Sequence, residues 1–129
     1  MATWNEFRNL IKNNYDVQLD NGDSLRINEK LSDGRSQMVI ISRQNSDSAG
    51  VLAQFYSPVG TIKKDDLDEA LNLLNVSSFG GLVKIEDIHF VKHCLPIEDL
   101  SPKEWVVPLA AIAVAADNLE KRFIGKDIF

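Results

Sequence analysis

Two stretches, Gln37-Met38-Val39-Ile40-Ile41-Ser42-Arg43 and Val51-Leu52-Ala53-Gln54-Phe55-Tyr56-Ser57, decide how this chain folds. Successive side chains of a strand point to opposite faces. Met38 and Ile40 therefore oppose Val39 and Ile41, while Val51, Ala53 and Phe55 oppose Leu52 and Tyr56. Both runs are apolar in front and behind, as strands at the centre of a sheet are. The turn region at 45–50 joins them, and Asp33-Gly34 makes a tight turn into the first.

Upstream of that turn, Leu25, Ile27, Glu29 and Leu31 alternate with Arg26, Asn28 and Lys30, which predicts a strand with one buried face. Three strands joined by short loops form an antiparallel meander. The residues between 15 and Asn21-Gly22 read as a polar connection. Before them, Trp4, Phe7, Leu10 and Ile11 recur at helical spacing behind Thr3, a good N-cap, so 3–14 reads as an amphipathic helix closed by Asn13-Asn14.

Downstream, Pro58 and Gly60 break the strand, and Asp65-Asp66-Leu67-Asp68-Glu69 puts carboxylates where a helix dipole favours them. Leu67, Ala70, Leu71 and Leu74 supply the apolar stripe of that helix. Residues 82–86 and 88–95 read as a strand pair turning at Glu86-Asp87, with Pro96 ending the second. Ser101-Pro102-Lys103-Glu104 combines a cap serine, a proline at the first helical position and a capping-box glutamate. The helix it starts has a seam of Trp105, Leu109, Ile112, Ala116, Leu119 and Phe123. Val106, Val107, Ala110 and Val114 make its first half apolar nearly all round, and Pro108 predicts a bend.

The expected fold is a single α+β domain over residues 1–129, ordered α-β-β-β-α-β-β-α, with an antiparallel five-stranded sheet and helices packed mainly on one face. Such a sheet is about 24 Å wide, and two helices of roughly 10 Å cover one side of it. The other side then shows an apolar patch of the kind that marks a protein contact.

Composition narrows the partners. The chain has 129 residues, with Lys and Arg totalling 14 against 19 Asp plus Glu, a net charge of −5. That balance argues against nucleic acid and against an anionic membrane surface. The lone cysteine, Cys94, cannot form an intrachain disulfide, and the first residues lack the basic flank and apolar core of a secretion signal, so a cytoplasmic location is expected. The longest apolar run, 106–116, would span only about 16 Å as a helix, too short for a bilayer.

Chemistry is harder to find. His89 and His93 share a strand face about 13 Å apart, too far to bind one zinc ion, and Cys94 points away from His93. The expectation is solvent-facing histidines and a small buried thiol. Asp65-Asp66, Asp68-Glu69, Glu86-Asp87 and Glu98-Asp99 are accounted for by helix starts and turns, and Gly80-Gly81 precedes a strand, so its amides form no phosphate cradle. Trp4 and Trp105 lie on helix stripes and read as core. No catalytic residues, metal or cofactor are expected.

Residues 72–120 resemble the type III secretion chaperone-like family, including its bacterial relatives of the YbjN kind. The likeness lies in Leu73-Leu74-Asn75, in Phe79-Gly80-Gly81-Leu82-Val83 entering a strand, and in His93-Cys94-Leu95-Pro96 closing one. Glu98-Asp99-Leu100-Ser101-Pro102 and the alanine-rich helix through Ala116-Asp117 follow. The element order fits as well. The resemblance implies a non-enzymatic protein, commonly dimeric, that holds an extended apolar segment of a client. It also implies a dimer contact at Leu67, Leu71 and Leu74, and a partner groove lined by Phe7, Leu10 and the sheet residues Val39, Ile41, Leu52 and Tyr56.

The expected function is thus a chaperone-like, homodimeric protein-binding module. One alternative is an immunity or regulatory subunit blocking its target through an acidic surface. A second is a small enzyme, which would need a pocket of convergent polar groups.

Overall fold

The computed structural model describes residues 3–98 and 100–125. The helix α1 (Trp4–Asn14) leads into β1 (Asp16–Asp20), β2 (Ser24–Lys30), β3 (Ser36–Ser46) and β4 (Gly50–Gly60). A 3-10 turn at Lys64–Asp66 opens α2 (Leu67–Leu74), and β5 (Gly81–Ile85), β6 (Ile88–Pro96) and α3 (Pro102–Phe123) complete the chain. One antiparallel sheet of six strands results, in the order β1-β2-β3-β4-β6-β5.

The sheet has one strand more than expected, because residues 16–20 pair with β2 rather than forming a loop. As an edge strand, β1 needs an apolar group on one side only. Its register also slips between Val17 and Leu19, which blurs the alternation. Its acidic ends suit an edge that must not recruit other strands. Asp20 at its end is held by Arg8 and Lys12 of α1.

Every strand crossing the middle buries alternate residues. Leu25, Ile27, Val39, Ile41, Ala53, Phe55 and Val91 are sealed on one face, beneath α1 and α3. Thr3 caps α1 by accepting a hydrogen bond from the Glu6 amide at 3.2 Å, and Trp4, Phe7 and Ile11 then fall on its inner side. Phe7 stacks on Phe55 and meets Trp105 edge-on, so α1, the sheet and the start of α3 share one aromatic cluster. Trp4 adds a hydrogen bond from its indole N–H to the Gly22 carbonyl at 2.6 Å.

The longest helix, α3, runs unbroken through Pro108 and buries the expected seam from Trp105 to Leu119. At its start the Ser101 hydroxyl donates to the Glu104 carboxylate at 2.9 Å instead of capping a backbone amide. Beside it, α2 buries only Ala70 and Leu74, and Glu69 of α2 accepts hydrogen bonds from Arg122 of α3. Where α3 crosses β6, Gly80 has φ +86°, and an added Cβ there would lie 2.9 Å from Val91 Cγ1 and 3.1 Å from Ile112 Cγ2. Only glycine fits that crossing without strain.

An ionic group around two buried carboxylates, Asp117 and Glu120, fixes the far end of α3. Arg35, in the loop between β2 and β3, donates to Asp117 at 2.8 Å and reaches Glu120 at 3.5 Å. Lys121 bridges Asp33 at 2.7 Å and Asp117 at 3.2 Å.

Candidate interaction surfaces

His89 does not face solvent, and His93 does so only in part. His89 is buried, with Nδ1 accepting the Ile62 amide at 3.0 Å. His93 accepts the Gly80 amide through Nδ1 at 3.3 Å and stands edge-on to Phe79, and burial pushes its pKa down. Each ring therefore carries its hydrogen on Nε2 and serves as a backbone acceptor. Cys94 is exposed rather than buried, because its register partner is Gln54 on the sheet face turned away from the helices. Among the described residues, no group of three or more His, Cys, Asp and Glu is placed to hold a metal ion, and no helix is long and apolar enough to cross a membrane.

The acidic clusters serve local structure. Asp65 and Asp66 lie in the 3-10 turn, and Asp68 and Glu69 in the first turn of α2. Asp99 lies outside the described residues. On α1's side of the sheet, burial and then the charge of Glu29 push the Tyr15 phenol up to about 12. Burial raises Glu29 in turn, and neither Glu29 Oε2 nor Gln37 Oε1, register neighbours on β2 and β3, has a hydrogen-bond partner among the described residues.

Part of the expected partner groove does not exist. Phe7, Val39 and Ile41 are wholly buried between sheet and helices, because their face is the one that α1 and α3 cover. Leu10 is partly buried against the same core. Leu52 and Tyr56 lie on the opposite face, where no described helix packs. There the register brings Met38, Ile40, Tyr56, Val83 and Phe90 together, each partly exposed, while Leu52 is set apart from Tyr56 by Gln54. The Tyr56 and Phe90 rings meet edge-on at 6.1 Å.

A second apolar surface lies on the helix side. Between α2 and α3 runs an open groove of about 570 Å³, floored by Leu74, Ala111, Ala115 and Leu119 and rimmed by Leu73, Val76 and Val114. Leu71 and Leu73 are 51% and 45% exposed, and Val76 is 88% exposed. Of the residues expected in a dimer contact, Leu74 lines this groove, Leu71 stands exposed on the same helix, and Leu67 is partly buried against the core. The α3 side of the groove was missed as a surface, although the apolar residues off its seam, Val114 among them, were the signal for it.

No protein-family model, no curated protein and no solved structure matches the chain.

Proposed function

We propose that this protein is a non-enzymatic, chaperone-like binding module that shields an apolar segment of another protein and works as a homodimer. The observation that carries the reading is the bare side of the sheet. The described helices cover one face of the six strands, while Ile40, Tyr56, Met38 and Phe90 stand partly exposed on the other. An apolar sheet face of this kind is drained of water most readily by another protein. The α2–α3 groove, with Leu73, Val76 and Val114 at its edges, is assigned to the second copy. The turn motifs of residues 72–120 that resemble secretion chaperones point the same way, although the added edge strand β1 departs from the element order expected of them.

Light scattering on the purified chain tests the dimer. The wild type is expected at twice the mass of one chain, and the double variant Leu73→Asp with Val114→Asp at one. A wild type that weighs a single chain at every concentration removes the homodimer. A pair of variants that stays dimeric removes the groove from the contact.

A further inference from the structure

One register row crosses the bare face from edge to edge: Leu19, Arg26, Ile40, Tyr56, Lys92 and Gly81. Its apolar middle is flanked by a cation on either side. In a chain of net charge −5 this face is the exception. The charged residues that pairing places on it are Arg26, Lys30 and Lys92, with the single carboxylate Asp16 out on the edge strand. The Lys92 amine lies over the Tyr56 ring, 5.2 Å from its centre, and Arg26 Nε is occluded with no acceptor. Among the described residues neither cation meets a carboxylate.

We propose that the client of this face is an acidic amphipathic helix, its apolar stripe laid over Ile40, Tyr56, Met38 and Phe90 and its flanking carboxylates reaching Arg26 and Lys92. The proposal rests on the reading of the face as a protein-binding surface and adds the client's chemistry. Three strand spacings separate Arg26 from Lys92, about 14 Å, and a helix with its side chains is roughly 10–12 Å across. The cations thus straddle one helix. An extended segment lying flat on the face would set its own N–H and C=O groups against apolar side chains without partners, whereas a helix satisfies them internally. The opposite side of the same sheet already accepts helices in this way, through α1 and α3. A nucleic acid fits less well: Tyr56 and Phe90 offer stacking planes, but they meet edge-on beside the aliphatic Ile40 and Met38, and the net charge of −5 repels phosphate.

The test uses two synthetic peptides of about four helical turns. One carries a leucine stripe bordered by glutamates, and its twin has lysine at every glutamate. Amide chemical shifts of the full chain map where each binds, at low and at high salt. The glutamate peptide is expected to shift Ile40, Tyr56 and Phe90 and to bind about tenfold more tightly than its twin, with the preference fading in salt. Arg26→Glu with Lys92→Glu is expected to reverse the preference. Arg26→Gln with Lys92→Gln, a milder pair, is expected to abolish it, so a misfolded reversal variant does not decide the matter.

Equal affinity for the two peptides on this face overturns the acidic client while leaving a protein-binding face in place. Shifts confined to Leu73, Val76 and Val114, or no binding by either peptide, overturn the assignment of a helical client to the sheet. Displacement of the glutamate peptide by oligothymidylate overturns it in favour of nucleic acid.

Discussion

Arg35 Nε lies 2.8 Å from Asp117 Oδ1, which ties the loop between β2 and β3 to α3 across 82 positions of sequence. Asp117 and Glu120 are 3% and 0% exposed at their side chains, so both depend on cationic neighbours. Arg35→Ala is expected to cost about 2 kcal/mol, less than the roughly 3–5 of a fully buried broken pair, because Arg35 is itself part-exposed and Lys121 stays on Asp117. A shifted urea midpoint at constant slope would record it. An unchanged midpoint would show that the cluster contributes nothing net.

Asp20 gives the stability a pH dependence of known sign. Hydrogen bonds from Arg8, then the Gly22 amide, then Lys12 hold its carboxyl well below the ordinary value of 3.8. A depressed carboxylate stabilises the fold above the unfolded-chain value and loses that contribution as pH falls through the folded one. Asp20→Asn is therefore expected to unfold earlier than the wild type at neutral pH, with the two curves converging in acid below about pH 4. Parallel curves at all pH values would refute the assignment.

Gly80 and Gly81 are adjacent but should respond very unequally to alanine. At Gly80 the positive φ and the contacts with Val91 and Ile112 predict a loss of roughly 2–4 kcal/mol. At Gly81 an added Cβ meets nothing within 4 Å, so the change should stay within about 0.5 kcal/mol. Thermal unfolding of the two variants side by side makes the comparison. Equal losses would mean that the crossing of α3 over β6 is looser than its contacts imply.

Much of this architecture was legible because it is written locally. The double-sided runs at Met38–Ile41 and Leu52–Tyr56 marked the sheet's centre, and Ser101-Pro102 marked where α3 begins. What stayed hidden depends on partners distant in sequence. The polarity of β1 conceals an edge strand that only its pairing with β2 reveals. His89 looked like a surface residue until the Ile62 amide, 27 positions earlier, was found to occupy its Nδ1. Likewise, alternation separates Val39 from Ile40 but cannot say which of the two the helices will cover. Half of the sheet residues expected in the groove, Val39 and Ile41, therefore fell on the covered side. The row from Arg26 to Lys92 exists only once β6 pairs with β4, a register no local pattern encodes.

Cys94 is the chain's sole thiol, exposed, and paired with Gln54 one row from Tyr56 and Lys92. A maleimide dye attached there would sit beside the bare sheet surface without any engineered residue. Its emission would then act as an optical gauge of whether that surface is wet or occupied.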